Sequence, residues 1–381
     1  MRNSEIFRKD KKFFCFPNDE QKIFLQAALG NAETTRVAHR KIKTDFLPDK
    51  TDDVLQKLYP LIYQNLQKHN LYETSDIRFK IAHRETFQKN RLLFQTIRQI
   101  LEKFQAAEIP LILLKGAALS VQYYRSSAVR PMWDIDILVK RKDCQKAIEI
   151  LAENGYRSVS HNLSLVLEFA PACAFVNKDR NEIDLHWQIG KNCWNANKTD
   201  ILWENAVPLD FYGFPALTLS ATHQLFYVCW HGAFHGTPPI RWIADAVTIL
   251  QTTNEQINWN QLVEIAYFHR VSWLIFLLLE HLNELFPNLI PTEILQKLKN
   301  SPLTNLQKKG NLSQMSENPF PWKLRQYLKE FAIQYVYLQT STETRPRVLV
   351  LLKSMQYFLR LKSLWHVPPY IFYKAVRKIL T

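Results

Sequence analysis

The sequence is poor in glycine and lacks paired cysteines. Only 8 of its 381 residues are glycine, too few for the many tight turns of sandwiches and propellers. The five cysteines are odd in number and include no C-x-x-C pair, so their spacing indicates neither a disulfide framework nor a zinc site. We therefore exclude turn-rich all-β folds and disulfide scaffolds.

Long apolar runs are also missing. The longest, Val271–Leu279, is far shorter than the roughly 20 residues that a helix needs to cross a bilayer. The first residues contain no apolar core of signal-peptide length. We therefore expect a reduced, cytoplasmic protein without a transmembrane segment.

Negative charge is scarce toward the C-terminus. The net charge is +14, and from Pro321 to Thr381 eleven Lys and Arg residues face only Glu330 and Glu343. Such a field attracts phosphates of nucleotides, nucleic acids or anionic membranes, although solubility alone is the alternative. For this basic, aromatic segment we keep three interpretations: a helical cap, an RNA-binding surface and a membrane-surface contact.

The rest of the composition is that of an ordinary globular protein, with 47% hydrophobic and 22% charged residues. A cap at Asn18 predicts one helix start, and Asp76 to Ala107 has the periodicity of a long amphipathic helix. Helical patterns return after Trp203, and 300–321 resembles a loop. The predicted parts are an N-terminal helical segment (1–108), a small mixed-sheet core (109–200), a helical domain (201–300), and a linker with a basic, aromatic helical C-terminal segment (301–381).

Within the core, apolar runs alternate with helical patterns. The sequence predicts strand, helix, strand, helix and hairpin, over Ile109–Gly116, Ala117–Tyr124, the run WDIDILVK, Asp143–Tyr156, and Leu167–Asn177 with Glu182–Ile189. This order makes a small mixed sheet.

The run RPMWDIDILVK carries two carboxylates at alternate positions. On a strand, Asp134 and Asp136 point to one face. The apolar flanks favour a central strand over an exposed edge, and two like charges there are costly unless a cation neutralises them. Mg²⁺, which takes carboxylate and phosphate oxygens together, is the cation we expect, with Mn²⁺ as an alternative.

Two further motifs lie near this strand. Gly116, in LLKGAALS, stands at a strand-to-helix junction, where backbone N–H groups bind phosphate or simply make a turn. Asp184, in EIDLHW, offers a third carboxylate on another apolar strand. Together with the first pair it would complete a two-metal site.

The order of glycine turn, D-x-D strand and third acidic strand resembles the nucleotidyltransferase superfamily with a DNA-polymerase-beta-like palm. LLKG, DIDILV and DLHW with a helical tail resemble more closely an uncharacterised bacterial nucleotidyltransferase family within it. The match covers about Ile109–Ile189 well and the later helices loosely. It implies an α+β fold with helices on both sides of the core, Asp134, Asp136 and Asp184 as metal ligands, and Gly116 as the phosphate-loop glycine.

The phosphate loop departs from the superfamily pattern. Ala117 follows Gly116, where the superfamily usually has a second glycine or a serine. The missing hydroxyl removes one phosphate contact. Lys115, Arg125 and Arg130 are the candidates to replace it.

Three side chains are auxiliary candidates. His186 either orients the third carboxylate or the acceptor, or is structural. Arg241 and Asp245 are spaced as an i,i+4 pair, either a brace or, by the resemblance, part of a closure over the nucleotide base. His231 and His235 have a spacing that binds zinc, but no H-E-x-x-H accompanies them, so we do not favour it.

The resemblance implies a Mg²⁺-dependent enzyme that moves a nucleoside monophosphate from an NTP, such as ATP, to an acceptor and releases pyrophosphate. Asp184 is also a candidate base for the acceptor hydroxyl. The acceptor class stays open between a small molecule, a peptide or protein, and RNA; nucleic acid is not favoured, because no RNA-binding module is visible. The alternatives are a catalytically silent nucleotide- or nucleic-acid-binding protein on the same fold, and a toxin-like tRNA-modifying enzyme.

Overall fold

The computed structural model describes residues 15–46, 52–160, 162–189, 201–234, 240–253, 256–315, 352–353, 355–357 and 361–370. Several predictions fall on the other residues. His235, the prolines ahead of Ile240 and most of the basic C-terminal segment lie outside the described residues.

Before the sheet, the described residues form five α-helices: α1 (Asp19–Leu29), α2 (Ala32–Asp45), α3 (Asp53–Gln56), α4 (Tyr59–Lys68) and α5 (Ile77–Ala106). The predicted cap of α1 is confirmed. The Asn18 side chain accepts from the backbone of Gln21, whose own side chain accepts from the backbone of Asn18, so two otherwise unpaired donors are satisfied. The long amphipathic helix is also confirmed, as α5.

A seven-stranded sheet forms the centre of the chain. Its strands are β1 (Leu111–Leu113), β2 (Asp134–Val139), β3 (Arg157–Ser158), β4 (Ala172–Val176), β5 (Glu182–His186), β6 (Ala206–Phe211) and β7 (Phe214–Leu219). They lie in the order β3-β4-β5-β2-β1-β7-β6. The pairs β2–β5 and β1–β7 are parallel, and the other neighbours are antiparallel. This mixed sheet between helical regions confirms the predicted α+β class.

Three helices connect the first strands: α6 (Lys115–Leu119), α7 (Cys144–Glu153) and α8 (Leu163–Phe169). The helix after β1 begins one residue before Gly116, not after it. Gly155, with φ of 82°, lies just past α7 and ends the helix in the left-handed conformation that glycine favours. The Asp143 side chain, however, makes no capping hydrogen bond to α7. The predicted β4–β5 hairpin is confirmed.

The prediction of helix directly after Trp203 was wrong, because β6 and β7 form a hairpin there. Tyr212 and Gly213 both have positive φ, 52° and 85°, as a two-residue hairpin turn of the primed type requires. Pro208 and Pro215 obscured the strands in the sequence. Pro208 is tolerated because β6 is the edge of the sheet.

Six helices follow among the described residues: α9 (Ala221–Phe234), α10 (Ile240–Thr253), α11 (Trp259–Phe268), α12 (Ser272–Leu285), α13 (Thr292–Lys299) and α14 (Asn305–Met315). The predicted loop over 300–321 was wrong where α14 forms. The Thr304 hydroxyl accepts from the Gln307 backbone, and the Gln307 side chain accepts from the Thr304 backbone. This capping box starts the helix. None of the described helices has both the length and the apolar character that a bilayer crossing requires.

The sheet separates two apolar cores. Ile135 and Ile137 of β2 join α5 and α7 in one core, whereas Leu138 faces the other, which contains residues of the N-terminal helices and of α9–α12. The Trp242 indole donates to the Cys15 carbonyl across this second core, at 2.9 Å. Because strand side chains alternate, the aspartates of β2 lie on the side of the second core.

Candidate active site

The parallel pairing of β2 and β5 brings the two acidic motifs together. Asp136 is the register partner of Asp184, and Leu138 is that of His186. Since residues two apart share a face, Asp134, Asp136, Asp184 and His186 all lie on one side of the sheet. The sequence placed the aspartates on two strands, and the register places them side by side.

Asp136 is buried, and two donors satisfy one of its oxygens. Lys115 Nζ lies 2.5 Å and His186 Nε2 lies 3.0 Å from Oδ1. Among the described residues no donor contacts Oδ2. Burial by itself raises the pKa of Asp136, but the Lys115 charge and the His186 hydrogen bond hold that pKa well below its usual range.

The pKa of Asp184 shifts in the opposite direction from that of Asp136. Burial, and then the neighbouring Asp136 charge, raise the pKa of the Asp184 carboxyl to about 6, although His186 and Lys115 act to lower it. Two adjacent carboxylates with one internal cation are under-compensated, and an additional cation is the usual remedy.

The donor set suits a divalent cation. The ligand atoms of Asp136, Asp184 and His186 lie within 4.8 Å of one another. Because an ionised carboxylate only accepts, His186 Nε2 is the donor to Asp136, and its Nδ1 is buried with no hydrogen-bond partner among the described residues. Two carboxylates and one imidazole accommodate Mg²⁺ or Mn²⁺, and the imidazole favours the latter.

The three ligand atoms that the structure groups together include His186 and not Asp134. Asp134 lies on the same face, half-buried, but outside the group of three, and its metal role stays a prediction. His186, an auxiliary candidate in the sequence, supplies an atom of the group. The alternation in EIDLH was the available signal, since it places His186 on the face of Asp184.

Lys115 and Gly116 are close-packed against the site. Lys115 has φ of 42°, in the left-handed region where a non-glycine residue is strained, and its side chain pairs with Asp136. A Cβ on Gly116 would lie 2.7 Å from Arg130 Nη1 and 2.7 Å from Met132 Sδ. Ala117 is buried in the apolar core. The phosphate-binding roles of these residues stay predictions.

A second buried carboxylate lies nearby, on α10. Arg130 Nε and Nη2 donate to the two oxygens of Asp245 at 2.8 and 2.9 Å, and the Tyr124 hydroxyl donates to Oδ1 at 2.8 Å. Asp245 therefore pairs with Arg130 and not, as the sequence predicted, with Arg241. The predicted pair followed helical spacing, but the bidentate fork of Arg130 provides the better geometry.

Arg241 belongs to a different cluster. Its Nη2 donates to the Pro131 carbonyl at 2.8 Å, and its guanidinium lies 4.9 Å from the centroid of the Trp133 ring. Lys57 Nζ lies 5.1 Å from the same centroid. Trp133 is 52% exposed. No local sequence pattern marks Lys57 or Trp133, because residues so far apart in the chain share none.

The other candidate sites receive less support. Among the described residues, the group of Asp136, Asp184 and His186 is the one found with metal-ligand spacing, and His231 is not in it. A shallow cavity of about 760 Å³ lies along α5, lined by His83, Phe87 and Arg91 among others. It shares no lining residue with the carboxylate site.

Comparison with known proteins agrees with this geometry. No curated protein matches the chain. The model of a family described as uncharacterised nucleotidyltransferases matches residues 54–287, a range that contains the whole sheet, the carboxylate site and Asp245. The match covers more than half of the 381 residues. The chain belongs to this uncharacterised nucleotidyltransferase family.

Proposed function

We propose that the protein transfers a nucleoside monophosphate from an NTP to a hydroxyl-bearing acceptor, with release of pyrophosphate and with Mg²⁺ or Mn²⁺ as the cofactor. The observation that carries the proposal is the in-register pairing of Asp136 with Asp184 on parallel strands. Two half-neutralised carboxylates on one sheet face suit the chemistry that the family's description names.

Asp136, Asp184 and His186 would hold the metal. When bound, a divalent cation neutralises phosphate charge and favours attack on phosphorus. Oδ2 of Asp136 is available for it, because both protein donors contact Oδ1. His186 orients Asp136 through Nε2, and it would join the metal ligands by exchanging that hydrogen bond for the cation. Asp134, on the same face, is the additional carboxylate that we assign to a second cation.

Lys115 and Asp184 have further roles. The Lys115 ammonium is positioned by the strained turn after β1 and lies against Asp136, so a phosphate entering the site meets a positive charge beside the carboxylates. Asp184, half-buried on the same face, accepts the proton of the acceptor hydroxyl. Arg130 is held by Asp245, and we assign it to fixing the segment that leads into β2.

Transfer of labelled nucleotide tests the proposal. The full chain is incubated with α-labelled NTPs, Mg²⁺ or Mn²⁺ and a cell extract, and label is followed in the small-molecule, protein and RNA fractions. We expect label in one fraction, which names the acceptor class, and at least a thousand-fold loss in Asp136→Asn and Asp184→Asn. Asp179→Asn, an exposed aspartate in the β4–β5 turn, is the matched control and should retain activity.

A silent nucleotide-binding protein is the second candidate. The ion pair of Lys115 with Asp136 supports it, because an internal cation already neutralises one carboxylate without a metal, and Ala117 adds no hydroxyl to the loop. Saturable NTP binding with no labelled product under either metal would establish this candidate and end the first.

A further inference from the structure

Lys57, Trp133 and Arg241 form a cluster that the proposed chemistry does not yet use. They come from three separate segments: the turn after α3, the residue before β2 and the first turn of α10. The two cations lie 5.1 and 4.9 Å from the centroid of one indole. Arg241 is fixed through Nη2 by the Pro131 carbonyl, so its remaining donors have a defined direction.

The cluster adjoins the start of β2, the strand that carries Asp134 and Asp136. Trp133 directly precedes Asp134 in the chain and is 52% exposed. The Asp134 carboxylate is close enough to interact electrostatically with Lys115 and Asp184 in the site. It also interacts with Arg241 in the cluster. A ligand on the cluster would therefore lie beside the proposed metal ligands.

The positive charges of the cluster are poorly compensated. Arg130 is neutralised by Asp245, but among the described residues no carboxylate lies within ion-pair distance of Lys57 or Arg241. Asp52 and Asp53 act on Lys57 only at longer range, and the Asp52 side chain caps Val54.

Neighbouring cations disfavour the charge of each member of this pair. Burial, and then the charge of Arg241, lower the pKa of Lys57. Burial, and then Arg130, lower the pKa of Arg241, although Asp245 and Asp134 act to raise it. An anion between the two cations would relieve both effects.

We propose that Lys57, Trp133 and Arg241 bind a phosphate group beside the start of β2, next to the strand that carries the carboxylates. A guanidinium fork and an ammonium point charge suit phosphate oxygens, and the indole fixes the distance between the cations. The assignment of phosphate rests on the proposed function. The group has two sources: the β- and γ-phosphates of the NTP, or a phosphate carried by the acceptor.

Inorganic pyrophosphate is the probe. Its affinity for the full chain is measured by titration calorimetry in EDTA, so that neither metal nor transfer is needed. We expect a loss of about tenfold in Lys57→Gln and in Arg241→Gln, as for a charge-assisted contact. The matched controls are Lys140→Gln and Lys308→Gln, whose ammonium groups lie 5.2 and 4.8 Å from the Trp203 and Trp273 rings. Both should bind as the parent does.

Two results would overturn the proposal. One is a parent protein that does not bind pyrophosphate, and the other is an equal loss in the controls, which would indicate bulk charge. Lys57 is only partly buried, so Lys57→Gln keeps the test valid if Arg241→Gln does not fold. If ATP competes with pyrophosphate, the cluster binds the phosphates of the NTP. If ATP and pyrophosphate bind at the same time, the cluster binds a phosphate of the acceptor. The binding measurement involves no transfer. A failed transferase assay would therefore refute the proposed function without deciding whether the cluster binds phosphate.

Discussion

Two aspartates of this chain are buried to nearly the same degree and have different environments. Asp136 is 3% exposed and Asp245 is 5% exposed, and each accepts from one cation and one further donor. Arg130 contacts both oxygens of Asp245. At Asp136 both donors contact Oδ1, and a second carboxylate, Asp184, lies alongside in register.

The difference shows which feature indicates a site. Burial and pairing are common to both aspartates, so neither indicates function. At Asp136 the second oxygen has no hydrogen-bond donor among the described residues, and a carboxylate lies alongside; both features favour a further cation. We therefore read Asp245 as an anchor between the segment before β2 and α10, and Asp136 as part of the chemistry.

Removal of the anchor should have the largest effect on stability. Asp245→Ala leaves the Arg130 guanidinium buried without its partner, which costs about 3–5 kcal/mol of unfolding free energy. Urea denaturation measures it, with Asp179→Ala as an exposed control. We expect a smaller loss for Asp136→Ala, because that change also relieves repulsion of Asp184. An equal loss in the two variants would mean that the aspartates do not differ as described.

His223 is buried without a compensating charge among the described residues, unlike the two aspartates, and it should make stability fall as the pH falls. His223 is bonded through Nδ1 to the Ser220 hydroxyl, and in the part of the chain that the structure describes its Nε2 has no hydrogen-bond partner. Burial lowers its pKa to about 4, so the unfolded state binds the proton first as pH falls. Stability is then lost from about pH 6.5 down to about 4, by about 3 kcal/mol.

Unfolding free energy measured across this pH range, in the parent and in His223→Gln, checks the expectation. The variant should show a shallower decrease with acid. Identical pH profiles would show that His223 is not held neutral by the fold.

Gly116 lies between the carboxylate site and the Arg130–Asp245 pair, and a change there should have the smallest effect on stability. In Gly116→Ala the new Cβ meets Arg130 Nη1 and Met132 Sδ, and Arg130 is fixed by Asp245. We expect a loss of about 1–3 kcal/mol from overpacking, together with lower transfer activity. Gly155→Ala, with open space but φ of 82°, should cost about 1 kcal/mol and leave transfer unchanged. Full activity in Gly116→Ala would mean that the packing of Gly116 against Arg130 does not affect the carboxylate site.

The sequence predicted what local periodicity encodes. The alternation in DIDILV and EIDLH predicted β2, β5 and the shared face, and Asn18 and the span from Asp76 to Ala107 predicted helices that form. The partner of Asp245 was not predictable, since Arg130 lies 115 residues away. Lys57 was missed for the same reason. The β6–β7 hairpin was not predicted because Pro208 and Pro215 argue against strands, and the Tyr212–Gly213 pair is a weak turn signal by comparison.

The parallel pairing of β1 with β7 has a consequence for dissecting the chain. β1 pairs with β2 on one side and with β7 on the other, where Ile112 lies opposite Leu217 and Leu113 opposite Thr218. An excised piece ending near residue 200 would keep every motif aspartate of the sheet yet expose an apolar β1 edge, a template for self-association. The smallest fragment that keeps the carboxylate site and this strand pairing therefore extends through β7, and through Asp245 if the segment before β2 is to keep its anchor.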